Sequence, residues 1–254
     1  MKLVLFENIK LCCPKDIDET KNIFNELTMN KETKYISFIN PEIFLHQQKD
    51  KNLHTYFANS AYNFIDGVGL FRAINAKLNT KYKSEDRYTG TDFFNYLPDK
   101  NLNVFLFGSY KENLENACIN ITKKFPNIKI VGTFDGYTNI DDLRLIEVIN
   151  SRKPDILIVC LGCPLQEYWI SKNIDNLKVP LIFGNGGAVD FWSGKIKRAP
   201  KFILKIGCEF IYRLLQDFSI KRIKRQLKLL KFYISYKFNK YDICLIETET
   251  IGGL

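Results

Sequence analysis

The chain has 254 residues, 46% apolar and 14% aromatic, with 37 Lys and Arg against 28 Asp and Glu, a formal net charge of +9. That is apolar chain enough for a real core, so wholesale disorder and a fibrous repeat are excluded. No run approaches about 18 uninterrupted apolar residues, which excludes a spanning helix, and residues 1–14 lack a small-residue cleavage site, so no signal peptide is expected. Seven cysteines, an odd number, point to free thiols in a reducing, cytoplasmic setting. Cys160-Leu-Gly-Cys163 spells C-x-x-C, but zinc would want a second pair, and His46 and His54 lie far away in sequence. Two core or loop residues are the expectation there. The charge is uneven: Lys195 to Lys240 nets +12 and the remainder sums to −3. A near-neutral body with a basic segment points to a polyanionic surface, either nucleic acid or an anionic membrane.

In chain order, Tyr35–Ile39 reads as a strand ending at Asn40-Pro41, with Pro41 suited to the first turn of a helix. Tyr62–Ile65 reads as another, ending at Asp66-Gly67-Val68-Gly69. From about residue 102 the pattern becomes regular. Asn103–Phe107 is a buried strand ending in Gly108, and Ser109 with Glu112 has capping-box spacing ahead of Leu114, Ala117, Ile121 and Phe125 at helical period. Ile128–Val131 is the next strand, and Asn139 with Asp142 opens a helix through Ile149. Asp155–Cys160 is a strand, Gly162 to Glu167 starts a helix, and Val179–Phe183 is a strand running into Gly184-Asn-Gly-Gly187. After Pro200 the pattern is helical, roughly 202–216 and 219–237, the latter basic and amphipathic. The expected fold is therefore α/β: a Rossmann-like parallel sheet covered by helices on both faces over residues 1–200, with a helical basic appendage over 201–254.

In such sheets, ligands sit beyond the carboxyl ends of the strands. Four expected strand ends carry unusual residues: Asn40-Pro41, Asp66 to Gly69, Gly162 to Glu167, and Gly184 to Gly187. Glycines there let backbone N–H groups approach a phosphate, although any one of them also reads as a tight strand-to-helix turn. Neither Gly67-Val-Gly69 nor Gly184-Asn-Gly186 completes a dinucleotide fingerprint. No P-loop and no G-x-S-x-G is present. Asp66, after an apolar run, reads either as a general base or as the N-cap of the following helix, and local sequence alone favours the cap.

The ordered series Asp66-Gly67-Val68-Gly69, Arg87-x-x-Gly90-x-Asp92, Phe107-Gly108, Gly132-x-x-Asp135-Gly136-Tyr137, Gly162-x-Pro164-x-Gln166-Glu167, Gly186-Gly187-x-x-Asp190-Phe191, Arg198-Ala199-Pro200 and Glu209-Phe210-x-Tyr212-Arg213-Leu214 resembles the WecG/TagA/CpsF family of bacterial glycosyltransferases (glycosyltransferase family 26). The resemblance covers about residues 35–225. It implies transfer of a sugar of the N-acetylmannosamine type from a UDP donor to a sugar on an undecaprenyl diphosphate, at the cytoplasmic membrane face. It also implies inversion at the anomeric centre and no metal. On that likeness Asp66 is the catalytic base. Asn40, Arg87, Asp92, Gly108, Gly162, Gln166, Glu167, Gly186, Asp190 and Arg198 are substrate-binding. Arg213, Arg222 and Arg225 resemble the arginines of an appendage that completes the site and touches the membrane. The chain departs from the family pattern at Phe38, where Thr is usual, and in the missing Pro after Tyr212-Arg213-Leu214.

An inverting single displacement needs one base for the acceptor hydroxyl and cationic groups for the departing diphosphate. No D-x-D metal motif is recognised, so arginines and helix N-termini are expected in that role, with no cofactor beyond the UDP-sugar. A basic amphipathic segment suits a lipid-linked acceptor, since it can lie on anionic headgroups. A nucleic-acid-binding protein and a non-catalytic scaffold are the rivals. The first lacks interleaved stacking aromatics, and intact Asp66 speaks against the second.

Overall fold

The computed structural model describes residues 1–83, 87–138, 141–205, 209, 212, 215, 232–235 and 241–246, so most of the expected helices over 202–216 and 219–237 lies outside the described residues. In chain order the elements begin with β1 (Lys2–Phe6), β2 (Ile9–Cys13), α1 (Ile17–Met29), β3 (Lys34–Ile39), α2 (Pro41–Gln47), α3 (Lys51–Asn59), β4 (Tyr62–Ile65) and α4 (Val68–Leu78). A 3-10 turn over Gly90–Tyr96 leads to β5 (Leu102–Gly108), α5 (Lys111–Lys124), β6 (Ile128–Phe134), α6 (Asp142–Ser151) and β7 (Ile156–Cys160). Then come α7 (Leu165–Asn173), β8 (Leu181–Gly184), α8 (Gly186–Trp192), α9 (Lys201–Lys205) and β9 (Ile243–Ile246). The α/β class expected from the alternating pattern is what the chain adopts.

Two compact units divide the chain, both discontinuous in sequence: residues 1–19, 38–89 and 199–254 form the first, and residues 20–37 and 90–198 form the second. The second unit holds five parallel strands in the order β6-β5-β7-β8-β3. All five residues of β7 are buried, as a central parallel strand requires. Phe93 anchors its core, 5.2 Å from the Phe24 ring and 4.3 Å from the Phe183 ring. Burying each such ring contributes about 1.5–3 kcal/mol.

The first unit is mixed, with order β4-β2-β1-β9 and β1 antiparallel to both of its neighbours. Glu7 and Asn8 join β1 to β2 with φ of 49° and 66°. Two positive φ angles in a two-residue loop match the right-handed twist of the strands they connect. Nothing in the sequence reading anticipated this hairpin or β9. Phe6 is fully buried, with its ring 4.5 Å from Phe44 and 5.5 Å from Tyr241. Phe38 is buried as well and stacks on Phe64 at 5.7 Å, so this departure from the family pattern is a core residue.

Two expected helix starts are corrected. Ser109 does not cap α5: its φ is 58°, Tyr110 holds the N-cap position, and no side-chain cap bond forms. The Asp141 carboxylate caps α6 by accepting the Arg144 N–H at 3.0 Å, while Asn139 lies outside the described residues.

Candidate functional site

In the first unit the ends of β3 and β4 meet. The Asp66 N–H donates to the Ile39 carbonyl at 2.9 Å, which ties Asp66 to the residue before Asn40. Asn40 caps α2, its Oδ1 accepting the N–H groups of Glu42 at 2.9 Å and Ile43 at 3.1 Å, with Pro41 in the first turn as expected. Gly67 is required where these ends touch, because a Cβ there would come 2.4 Å from Pro41 Cδ. The N-cap of α4 is Gly67 with no side-chain cap bond. The capping reading of Asp66 therefore fails, and a half-buried carboxylate stands at a strand end beside Asn40.

Arg87 belongs to the same unit. Its guanidinium lies 3.3 Å from Glu209, and the two side chains are only 9% and 10% exposed. The sequence offered Glu209 only as part of a motif, and no role was read for it. Arg213, Arg222 and Arg225 lie outside the described residues.

The second unit carries the glycines. Gly108, at the end of β5, has φ +109°, and a Cβ there would stand 2.6 Å from the Cys160 carbonyl carbon. Both the angle and the space demand glycine. Gly162, after β7, has φ +83°, and open space surrounds the positions of a Cβ at Gly162 and at Gly187. A Cβ on Gly186 would come 2.5 Å from the Gly162 nitrogen, so the loops after β7 and β8 pass backbone to backbone.

Gln166 lies beneath these loops, 4% exposed. Its Oε1 accepts the N–H of Gly162 at 3.1 Å and of Gly186 at 2.9 Å, while its Nε2 donates to Glu167 Oε1 at 2.8 Å. Glu167 is 3% exposed, and burial pushes its carboxyl above the ordinary glutamate value. Asp190, on α8, has Lys195 Nζ at 3.9 Å. Asp92, in the 3-10 turn, pairs with Arg198, whose guanidinium also lies 5.7 Å from the Phe191 ring centroid.

One feature of the strand ends escaped the sequence reading. Tyr110 and Tyr137 stack face to face, centroids 4.2 Å apart and planes 12° from parallel, and both are exposed. Asp135 holds the turn beneath Tyr137 by accepting the N–H groups of Tyr137 at 3.0 Å and Thr138 at 2.8 Å. A cleft of about 690 Å³ opens beside Tyr110, with Lys111, Asn113, Asn116 and Lys195 among its walls. The Asp-Gly-Tyr motif was a signal for Tyr137; Tyr110, two residues past the expected strand end, had none.

The cysteine and metal questions also resolve into geometry. Cys160 is buried, and burial pushes its thiol up, away from thiolate chemistry. The sequence does spell D-x-D once, at Asp16-Ile17-Asp18. Asp16 Oδ1 accepts the Glu19 N–H at 2.9 Å there, so the motif serves the first turn of α1. Among the described residues no three His, Cys, Asp or Glu gather as a metal site would need, and no helix is long and apolar enough to cross a membrane.

The strand ends thus carry glycine loops and a stacked aromatic pair in one unit and an aspartate beside Asn40 in the other, and in α/β sheets it is the carboxyl ends of strands where ligands commonly sit. The glycosyl transferase WecG/TagA/CpsF family matches residues 11–242, and the chain belongs to that family. It is thus a glycosyltransferase. Three similar proteins carry the name N-acetylglucosaminyldiphosphoundecaprenol N-acetyl-beta-D-mannosaminyltransferase. The one from Bacillus subtilis (strain 168) is 31% identical over 204 residues, 79% of this chain and 77% of its own. That of Bacillus spizizenii (strain ATCC 23059 / NRRL B-14472 / W23) is 30% identical over 86% of this chain and 88% of its own. That of Staphylococcus aureus (strain MW2) is 30% identical over 88% of this chain and 86% of its own.

Proposed function

We propose that the protein transfers an N-acetylmannosamine-type sugar from a UDP donor to the N-acetylglucosamine of a diphosphoundecaprenol lipid, with inversion and without a metal ion. The observation that carries this reading is the shared name of relatives about 30% identical over most of both chains. The geometry supports it from two sides. The open glycine loops at Gly162 and Gly187 suit a diphosphate, and the exposed Tyr110–Tyr137 pair offers a face for a uracil ring.

In this mechanism the Asp66 carboxylate accepts the proton of the acceptor hydroxyl as that oxygen attacks the anomeric carbon from the face opposite the leaving group. The bond from the anomeric carbon to the diphosphate oxygen breaks, and UDP departs with the electron pair. Charge on the leaving diphosphate is met by backbone N–H groups of the glycine loops and by arginines, Arg213, Arg222 and Arg225 being the candidates on the family pattern. Asn40, next to the base, has its Oδ1 engaged by α2, which directs its amide N–H groups to be the ones that meet substrate.

The basic segment up to Lys240 is proposed to rest on anionic headgroups at the cytoplasmic face, where each Lys or Arg contributes on the order of 1 kcal/mol. Protein with Lys221, Lys224, Lys228 and Lys231 changed to Gln, which leaves β9 and Tyr241 in place, is expected to lose flotation with anionic liposomes.

The direct test offers UDP-N-acetylmannosamine and other UDP-sugars with a short-chain N-acetylglucosamine diphosphate lipid, in excess EDTA, read by mass spectrometry. One N-acetylhexosamine should be added, from UDP-N-acetylmannosamine in preference to the others. No product from any UDP-sugar would overturn the donor assignment, and activity restored only by manganese would overturn the metal-free chemistry.

A further inference from the structure

The Gln166–Glu167 pair is buried beneath the loops after β7 and β8. An amide side chain presents an acceptor on one side and a donor on the other, and its two ends are almost the same shape. Which end faces the loops is therefore decided by its hydrogen-bond partners. Here the loop partners are both donors, the N–H groups of Gly162 and Gly186, so only Oε1 satisfies them. The opposite end faces Glu167 Oε1, an acceptor, which only Nε2 satisfies. Turning the amide over would set N–H against N–H at 2.9–3.1 Å in a site only 4% exposed. Space is also closed: a Cβ on Gly184 would lie 2.6 Å from Gln166 Nε2. Cys163 also bonds to the Glu167 carboxyl, whose Oε2 is buried without a hydrogen-bond partner among the described residues.

We propose that Glu167 is a positioning residue, locking the Gln166 amide with its oxygen toward Gly162 and Gly186 and so clasping the loops after β7 and β8 at one spacing. This rests on the reading of those loops as the diphosphate-binding backbone. The clasp joins the loops that follow two neighbouring parallel strands, β7 and β8, and these loops are otherwise independent in sequence. Holding them together before ligand arrives spares the ordering cost on binding.

The experiment compares wild type with E167L, which keeps bulk but has no acceptor, E167Q, which restores one, and Q166L as a second route to the same loss. Hydrogen exchange at the Gly162 and Gly186 amides should rise about tenfold in E167L and Q166L, with exchange in β5 and α6 unchanged. Titration with UDP should show binding weakened about tenfold in E167L and recovered to within about threefold in E167Q. In the transfer assay E167L should raise the donor KM by that factor and change kcat little. Unchanged exchange at the two amides, or a rise spread over the whole unit, overturns the clasp. A local rise with wild-type UDP affinity overturns its role in binding. Wild-type protein that binds no UDP is the failure of the donor reading itself, and the exchange measurement then still decides whether Glu167 holds the loops.

Discussion

The two units present chemistry in different materials. The second unit works with backbone: a side chain at Gly108 or Gly186 would collide with the neighbouring main chain, and Gly162 turns at φ +83° with open space beside it. The first works with side chains, a carboxylate at Asp66, an amide at Asn40 and a guanidinium at Arg87. Backbone sites depend on close main-chain approach and hold little charge of their own. Side-chain sites carry the charge and must be held by partners. On the proposed function, the difference predicts what mutations do: in the second unit they disturb shape and binding, whereas in the first they remove the proposed base or a charged group.

The largest effect falls on Asp66, the proposed base. Asp66→Asn keeps the side chain's size and removes its basicity, and should lower turnover by about 10²- to 10⁴-fold. UDP affinity, which this contrast assigns to the other unit, should stay near that of wild type in calorimetry. Turnover within threefold of wild type would sink the assignment of the base.

Next come two Arg–carboxylate pairs among the described residues, one in each unit. Arg87 and Glu209 are about nine-tenths buried, while Arg198 and Asp92 are 25% and 36% exposed. Removing one partner of a buried pair strands a charge, at a cost of about 3–5 kcal/mol. A partly exposed pair, screened by solvent, contributes about 0–1 kcal/mol. Glu209→Ala should therefore shift the urea midpoint far more than Asp92→Ala, and the double change Arg87→Met with Glu209→Leu should recover much of the loss. Equal shifts for the two single variants would contradict the contrast in burial.

A smaller effect is expected at the aromatic pair. Stacking of a base on an aromatic ring contributes about 1–3 kcal/mol, so Tyr137→Ala should raise the donor KM by about 5- to 150-fold with kcat little changed. A kcat loss without a KM change would remove the ring from the donor's nucleotide.

How much of this was legible in the sequence follows the same division. Strands β3, β5, β7 and β8 of the second unit read nearly to their ends because each is a short apolar run with glycine or proline near a boundary, whereas β6, expected only to Val131, runs through Gly132 to Phe134. Strand ends at Asn40, Asp66, Gly108 and Gly162 were readable for the same reason. The β1–β2 hairpin was not, since Glu7-Asn8 is not among the strong turn pairs, and β9 pairs with β1 across more than 230 residues. Ser109 misled because its spacing to Glu112 suits a cap while its backbone turns left-handed to follow Gly108. The pairing of Arg87 with Glu209 was invisible because no periodicity relates residues 122 apart. Gln166 was legible as a site residue, but its two loop contacts exist only once β7 and β8 are neighbours.

The last and smallest effect uses Glu167 as a reporter of its own burial. Burial is the chief influence on its carboxyl and pushes it above the ordinary glutamate value, while the bonds from Gln166 and Cys163 pull it part of the way back. The folded state thus holds this proton more tightly than the unfolded chain does. Stability from the group is complete below the ordinary glutamate value and is lost as pH rises through the raised folded value, because only the unfolded chain ionises freely in between. Above that window the loss is constant. Glu167→Gln cannot ionise, yet its Oε1 can accept the same N–H from Gln166, so the variant lacks this slope while keeping the clasp. The difference in unfolding free energy, wild type minus variant, should fall from about pH 4 toward neutrality, by no more than about 1.4 kcal/mol per pH unit for a single proton. Urea titrations of both proteins across that range measure it, and other titrating groups cancel in the difference. A difference that stayed level or rose with pH would mean that the carboxylate is better accommodated in the folded protein than its 3% exposure allows.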